Sequence, residues 1–196
     1  MSSVPADPQT LDAYASKILS PDWGTPSEAF RQWIQELPGR SAVLDVGCGN
    51  GKALLEMLDC GLNAVGSDAS PSMVAASRQT LAAQGHSETR IHLAALPGDL
   101  PFADESFDAV SCCAVLMHLP EMQIFDAVQE LTRLLRVGGR LFLSIPKSRS
   151  DIDVRTHRDP EGRLFTPLQT HQLSLLLERM GFRLDRQTEE ADTRGL

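Results

Sequence analysis

Five short apolar runs alternate along the chain with segments of helical periodicity. The runs are Ser41–Val46, Asn63–Asp68, Arg90–Leu96, Phe107–Val115 and Arg140–Ile145. Because strands separated by helices form βαβ units, this order predicts an α/β fold: a doubly wound, mainly parallel, Rossmann-like sheet with helices on both faces. Ligands of such sheets bind beyond the carboxyl ends of the strands, where the strand order reverses.

Three glycines follow the first run at every second position, in the sequence VLDVGCGNGKAL. Gly47, Gly49 and Gly51 permit φ values that other residues avoid, and the helix predicted next directs its N-terminal amides at the turn. A dinucleotide-binding turn follows GxGxxG, which would require glycine where this chain has Lys52. Asp45 inside the strand suits a cation or an ammonium better than a phosphate. The alternative is a tight turn that binds nothing.

The second run ends in Asp68. An acid at this place in a βαβ unit typically accepts hydrogen bonds from ribose hydroxyls. The two acids therefore predict a ligand that carries a ribose and, near Asp45, a positive group, with no pyrophosphate. A helix is expected to follow, with Ser70 as its N-cap and Pro71 at its first position. Without a ligand, Asp68 would be a helix cap or a turn residue.

Charge and composition exclude several classes of protein. The net charge of −8 and the pI near 5.1 argue against a nucleic acid or an anionic membrane surface as the main partner. We find no signal peptide and no apolar run of the roughly 20 residues needed to span a bilayer, so a cytoplasmic location is expected. The four cysteines lack metal-site spacing, which predicts small buried side chains and no metal: Cys48, Cys60, Cys112 and Cys113.

Four motifs in order resemble the class I S-adenosylmethionine-dependent methyltransferases, above all the ubiquinone-biosynthesis-like small-molecule enzymes. They are VLDVGCGNGKAL, VGSDASPSMVAAS, DLPFADESFDAVSCCAVLMHL and ELTRLLRVGGRLFLSIP. The resemblance extends from about Leu37 to Gln187. It implies methyl transfer by in-line displacement, with S-adenosyl-L-methionine (SAM) as cofactor and S-adenosyl-L-homocysteine as product.

The resemblance also implies roles for individual residues. The Gly47–Gly49 backbone would line the methionine part of the cofactor, Asp45 would orient its ammonium, and Asp68 would hold the ribose hydroxyls. Further cofactor contacts are expected from Cys48, Ala69, Ser70, Met73, Cys112 and Cys113. Tyr14, the only tyrosine, is expected in an N-terminal segment that folds over the cofactor.

The chain departs from the family pattern after the third run, where the family often has an acid for the adenine amino group. That position falls on Leu96, next to Pro97, while Asp99 is offset by three residues. Either Asp99 reaches the adenine or the Leu96–Pro97 backbone contacts it, and we favour the backbone.

A second departure concerns the usual last strand of the family sheet. After a predicted short sixth strand, FRLDRQ, only TEEADTRGL remains, and it has no apolar run for a seventh strand. We therefore expect an exposed edge at the fifth strand and, because exposed edges invite pairing, a homo-oligomer or reduced stability.

His118, in LMHLP after the fourth run, is the best candidate for a catalytic base or an acceptor-orienting residue. The alternatives are a loop histidine that caps the next helix or packs in the wall; His157 and His171 are expected at the surface or in a lid. An arginine cluster at 149–163 could receive an anionic acceptor, although a solvated lid is the commoner outcome. The small lid favours a small-molecule acceptor.

We interpret the chain as one methyltransferase-like domain. It would comprise an N-terminal helical cover (1–40), a cofactor-binding core (41–146), a lid (147–166) and a C-terminal helix and strand (167–196). Two rival interpretations remain. One is a nicotinamide-dependent oxidoreductase, disfavoured by the GxGxG spacing and Asp45. The other is a catalytically silent methyltransferase-like binding or interaction protein.

Overall fold

The computed structural model describes residues 25–98, 100–147 and 149–190. Within them, five parallel strands form one sheet in the order β3-β2-β1-β4-β5. The strands are β1 (Ala42–Val46), β2 (Asn63–Asp68), β3 (Ile91–Leu93), β4 (Phe107–Cys113) and β5 (Leu135–Ser144). The helices are α1 (Glu28–Gln35), α2 (Lys52–Asp59), α3 (Pro71–Ala83), α4 (Ile124–Leu134) and α5 (Thr170–Arg179). The predicted fold class is confirmed, and the N-terminal segment around Tyr14 that is expected to fold over the cofactor lies outside the described residues.

Two hydrophobic clusters flank the sheet, one on each face. Helices α1, α2 and α3 pack on one face, where Phe30 and Trp33 of α1 meet the ring of Phe142 from β5. Helices α4 and α5 pack on the other face, through residues such as Leu131 and Leu173. This arrangement follows from apolar side chains on both faces of the central strands, which are buried almost throughout.

The strand order reverses between β1 and β4. From β1 the chain moves outward through β2 to β3, and then returns to place β4 on the other side of β1. The crevice outside the carboxyl ends of β1 and β4 is therefore the place where such sheets bind ligands. Because β1 continues directly into Gly47, the glycine turn lies at this crevice.

Several predicted boundaries are wrong. The apolar periodicity of residues 121–139 predicts an amphipathic helix over that whole range. The observed helix ends at Leu134, since β5 begins at Leu135 and Gly138 adopts a positive φ of 80° that no helix continues. The third strand is shorter than Arg90–Leu96, and the fourth ends two residues before Val115. After Cys113 the backbone leaves the strand through Ala114, whose φ is 56°.

The predicted sixth strand, 182–187, is also wrong, and with it the C-terminal strand of the predicted domain plan. Residues 182–190 form neither a helix nor a strand. Five of these nine residues are charged. They pair with groups on α1 and β5: Asp185 with Arg140 (3.5 Å), Arg186 with Glu36 (2.8 Å) and Glu190 with the N–H of Ala29 (2.8 Å). A segment so rich in charge forms exposed ion pairs more readily than it packs as a strand.

Self-association through the β5 edge stays a prediction. Among the described residues, this charged segment contacts the edge through ion pairs, and exposed ion pairs contribute little, roughly 0–1 kcal/mol each. We expect light scattering to give a mass above that of one 21.4 kDa chain. A stable monomer over the whole range of protein concentration would contradict the prediction.

No helix among the described residues is both long and apolar enough to cross a bilayer.

Candidate active site

The glycine turn leaves β1 and folds back against the end of β2. The N–H groups of Gly47 and Cys48 both donate to the carbonyl of Ser67, at 2.7 and 3.0 Å. Gly47, Gly49 and Gly51 have positive φ values of 72°, 55° and 82°, and Gly51 is the N-cap of α2. Each glycine therefore occupies a conformation that side chains disfavour, as the sequence predicts.

The turn is packed closely at two glycines and open at the third. A methyl group at Gly47 would overlap Cγ2 of Val115, and one at Gly51 would lie 2.5 Å from Oγ of Ser77. At Gly49 no atom outside the turn lies within 4 Å of the added group. Space for a ligand is thus next to Gly49, while Gly47 and Gly51 hold the turn in place.

Asp68 connects the end of β2 to this open position. Its Oδ2 accepts the N–H of Gly49 and its Oδ1 accepts the N–H of Ser70, both at 2.9 Å. Burial raises the pKa of Asp68, and the N–H groups of Ser70, Gly49 and Ala69 oppose that rise because they stabilise the carboxylate. The carboxylate therefore lies at the glycine turn, as a ribose-binding acid must.

Asp45 lies one strand away on β1, and its contact with β4 spans the point where the strand order reverses. It pairs in register with Ser111 of β4, and Oγ of Ser111 donates to its Oδ1 at 2.6 Å. Asp45 is only 3% exposed. Burial raises its pKa to about 7, and the Ser111 hydrogen bond acts in the opposite direction. An isolated buried carboxylate is costly, and a cation beside it would relieve that cost.

His118 follows β4 and contacts the segment predicted as a lid. Its Nδ1 lies 2.8 Å from the carbonyl oxygen of Leu164. Since that oxygen only accepts, Nδ1 carries the proton and the neutral ring keeps its lone pair on Nε2. Burial lowers the pKa of His118 to about 4, helped by the positive charge of Arg163. The ring is therefore neutral at physiological pH.

Two of the arginines in the segment predicted as a lid are paired with carboxylates of the same segment. Arg149 and Arg163 are almost completely buried and form ion pairs with Asp151 and Asp159. Arg155 and Arg158 are exposed, and Arg158 donates to the carbonyl of Gly162. The idea of an anionic acceptor bound by this cluster is therefore wrong for Arg149 and Arg163, because carboxylates of the lid already neutralise them.

A family model described as a methyltransferase domain matches residues 43–139, the range from β1 through α4 into β5. The chain belongs to the S-adenosylmethionine-dependent methyltransferase family. Among curated relatives, the ubiquinone biosynthesis O-methyltransferase of Nitrosomonas europaea is 25% identical, over 89% of this chain and 73% of that protein. The tRNA (carboxymethyluridine(34)-5-O)-methyltransferase of Arabidopsis thaliana is 30% identical, over 74% of this chain and 35% of that protein.

A solved structure supports the fold of the methyltransferase. A SAM-dependent methyltransferase from Methanosarcina mazei superposes with a TM-score of 0.69 at 22% identity, covering 87% of this chain and 92% of that one. At this identity the likeness concerns the fold alone. Family and fold together imply SAM as the cofactor.

The residues at the turn fit that cofactor. The open side of Gly49 leaves room for it, and Asp68 presents carboxylate oxygens at the same place for ribose hydroxyls. Asp45 supplies a buried acid that an ammonium would stabilise in its charged form. The amides of Ala69 and Ser70 lie at Asp68, and Met73 is buried in the first turn of α3, where its N–H donates to Oγ of Ser70.

The side chains of three further predicted cofactor residues are packed to different degrees. The Cys48 side chain is buried against Gly66 and Ser77, and the Cys112 side chain is fully buried in the core beside α4. Burial raises the pKa of both thiols. Because both side chains are buried, a cofactor contact from Cys48 or Cys112 is expected from the backbone. Cys113, on the opposite face, is partly buried near Phe142.

The loop after β3 places the Leu96 side chain in the hydrophobic core. Pro97, joined to it by a cis peptide bond, borders a surface hollow beside Gln129 and Arg133 of α4. Contact of the adenine with this backbone stays a prediction. Tyr14 and Asp99 lie outside the described residues.

Sequence reasoning missed Ser111 and Val115. Ser111 could not be assigned from the sequence, because aligning β1 and β4 by their carboxyl ends would bring Cys112 opposite Asp45, and only the observed register pairs Asp45 with Ser111. Val115 gave no signal, since its contact with Gly47 depends on the backbone turn at Ala114. Glu130 and Arg133 were also missed: they hold the loop through the N–H and the carbonyl of Leu100.

We predict that product binding by the methyltransferase rises with pH. The pKa of Asp45 is about 7 in the folded protein, against an ordinary value of 3.8. At a pH between these two values the folded protein therefore keeps a proton on Asp45 that the unfolded chain has lost. The free energy of unfolding should therefore fall as pH rises through this range, by at most about 1.4 kcal/mol per pH unit. An ammonium favours the ionised acid, so affinity for S-adenosylhomocysteine should rise up to about tenfold per unit below pH 7 and then level off.

Calorimetric titration between pH 5.5 and 8 tests this prediction. The Ser111→Ala variant removes the hydrogen bond that lowers the pKa of Asp45. Its profile should shift to higher pH. A flat profile from pH 5.5 to 7.5 in the unchanged protein would refute the role of Asp45.

Proposed function

We propose that the protein transfers a methyl group from SAM to a small-molecule acceptor by in-line displacement. The observation that carries the proposal is the contact of Asp68 with the N–H of Gly49, the one glycine of the turn that opens to solvent space. This contact joins an acid suited to ribose with a backbone suited to close approach. The Asp45–Ser111 pair adds an acid suited to an ammonium at the same edge of the sheet.

SAM would supply an activated methyl group on a sulfonium, which is already a good leaving group. The protein then has to bind, align and exclude water. Gly47–Gly49 and Asp45 would hold the methionine part, and Asp68 the ribose. The segment predicted as a lid would exclude water, and it contacts the segment after β4: Thr166 donates its N–H to the carbonyl of Met117 (2.7 Å) and its hydroxyl to that of Leu119 (2.6 Å).

We propose His118 as the residue that orients the acceptor. Its depressed pKa makes it a weak base, but a neutral ring with the lone pair on Nε2 accepts a hydrogen bond from a hydroxyl at any pH above about 5. The His118→Ala variant should lower kcat about tenfold or more, while the Kd for S-adenosylhomocysteine stays unchanged. Steady-state kinetics and calorimetry check the two halves of this result. A loss of cofactor affinity would place the ring in the cofactor site instead.

The proposed function is tested in two steps. Calorimetry should give binding of S-adenosylhomocysteine and none of NAD, and no binding of the former would refute it. Labelled SAM is then offered with a panel of phenolic, amine and carboxylic small molecules and, in a separate arm, with bulk tRNA, because one relative is named as a tRNA methyltransferase.

Label in a small molecule supports the proposal, and label in tRNA alone refutes the acceptor class.

A second candidate is a catalytically silent binding or interaction protein, favoured by the departure from the family pattern at Leu96. It predicts S-adenosylhomocysteine binding with no labelled product in either arm.

A further inference from the structure

The lid contains a carboxylate that is shielded from solvent and bound on two sides by cations. The Asp159 side chain is 0% exposed. Its Oδ1 accepts the backbone N–H of Arg163 at 2.8 Å, and its Oδ2 accepts Nε of the same residue at 2.7 Å. Nη1 of Arg149 lies 3.7 Å from Oδ2. Asp159 thus fixes both the side chain and the backbone of Arg163.

The backbone fixed in this way continues directly into the contacts with the active site. Leu164, the next residue, presents the carbonyl that accepts Nδ1–H of His118. Phe165 then donates its N–H to the carbonyl of His157 at 2.7 Å, and Thr166 bonds to the segment that carries His118. Of the three residues after Arg163, Phe165 therefore bonds within the lid, while Leu164 and Thr166 bond to the loop after β4.

We propose that Asp159 is a positioning residue: by fixing the backbone at Arg163 it holds the Leu164 carbonyl against Nδ1 of His118. The carbonyl in turn selects the tautomer that keeps the lone pair on Nε2. This role rests on the proposed function, in which that lone pair receives the acceptor's hydrogen bond. Proteins usually fix the tautomer of a histidine by holding one of its ring nitrogens in a hydrogen bond to an oxygen acceptor.

The charges that act on His118 give the proposal a test with a definite sign. Arg163 and Arg149 lower the pKa of His118, and Asp159 raises it, while Asp151 pairs with Arg149. If Asp159 acted only through its charge, its neutralisation would lower the pKa of His118 further. If Asp159 holds the lid in place, its neutralisation admits water to the ring, and relief of desolvation raises the pKa towards 6.5.

The experiment uses the full chain with ¹⁵N-labelled histidine, and the His118 signals are assigned by their loss in His118→Gln. In the unchanged protein we expect the Nδ1–H tautomer and no titration of His118 above pH 5. In Asp159→Asn, whose amide NH₂ would face the guanidinium of Arg163, we expect loss of the Nδ1–H pattern and a pKa higher by at least one unit. A lower pKa, or an unchanged tautomer, would overturn the proposal.

Asp159→Glu separates position from charge, because it keeps the carboxylate and displaces it by one methylene. The same upward change of the pKa of His118 is expected there, and an unchanged pKa and tautomer would count against positioning. Trypsin cleavage after the exposed Arg155 should accelerate at least tenfold in both variants, whereas equal rates would contradict a loosened lid. Glu56→Gln is the matched control, since it neutralises a carboxylate paired with Arg31 on the surface, away from the lid.

Turnover provides the functional reading. Both Asp159 variants should lower kcat at least tenfold, with the Kd for S-adenosylhomocysteine within twofold of the unchanged protein. The NMR and protease measurements need no methyl transfer, so they judge Asp159 even where no acceptor is found. Absence of S-adenosylhomocysteine binding by the unchanged protein would instead refute the proposed function.

Discussion

Replacement of Asp68 by alanine is expected to weaken S-adenosylhomocysteine binding by about a hundredfold or more, while the free energy of unfolding of the free protein changes by no more than about 2 kcal/mol. Each hydrogen bond to a charged group contributes about 1.5–3 kcal/mol, and a ribose would offer two hydroxyls to this carboxylate. Loss of about 3 kcal/mol corresponds to somewhat more than a hundredfold in Kd.

The free protein should respond differently because two effects of the substitution oppose each other. The Gly49 and Ser70 N–H groups lose their acceptor, but a carboxylate whose burial is unfavourable also disappears. We expect a net change within about 2 kcal/mol, from the loss of two amide hydrogen bonds offset by relief of desolvation. Thermal unfolding and calorimetry measure the two quantities on the same sample.

Asp59→Ala is the control for this prediction, because it removes an acid from the end of α2 whose side chain is 67% exposed. Its affinity and melting temperature should equal those of the unchanged protein. If Asp68→Ala bound S-adenosylhomocysteine within threefold of normal, Asp68 would be a structural residue of the glycine turn and not a ribose ligand.

The elements that the sequence predicts best are those with local signals. Ser70 accepts the N–H of Met73 and Pro71 begins α3, as the residue types require. The glycine turn and Asp68 also meet as predicted, because the carboxyl ends of neighbouring parallel strands share one edge of the sheet. The errors lie where a contact with another element decides where a helix or strand ends. Helix α4 has no N-terminal or C-terminal signal that distinguishes Leu134 from Gly139, and its end is fixed by the pairing of Leu135 with Phe107.

In the site, too, local signals are readable from the sequence and contacts between distant segments are not. Asp45 could be assigned from its place in a buried strand, but its partner Ser111 is 66 residues away and appears only once the strand register is known. The lid shows the limit most clearly. Its arginines suggest an anion receptor in sequence, and only the fold reveals that Asp159 lies between Arg149 and Arg163.

Gly47→Ala and Gly49→Ala are expected to fail in different ways. At Gly47 the added methyl group would overlap Val115 and the φ of 72° is unfavourable, so the free energy of unfolding should fall by about 2–4 kcal/mol. At Gly49 the methyl group meets nothing, and only about 1 kcal/mol is expected from its φ of 55°. Its methyl group would instead occupy the space left for the cofactor, so affinity for S-adenosylhomocysteine should fall at least tenfold.

Two further variants separate strain from contact. Gly61→Ala carries a comparable φ of 78° at the end of α2 with no atom within 4 Å, so it measures the cost of conformation alone and should leave binding unchanged. Val115→Ala in the Gly47→Ala background should recover the part of the stability lost to overlap. Chemical denaturation and calorimetry report on all four proteins. Normal binding by Gly49→Ala would mean that the cofactor does not approach the turn at its open glycine, and the site would then have to lie elsewhere along the carboxyl edge of the sheet.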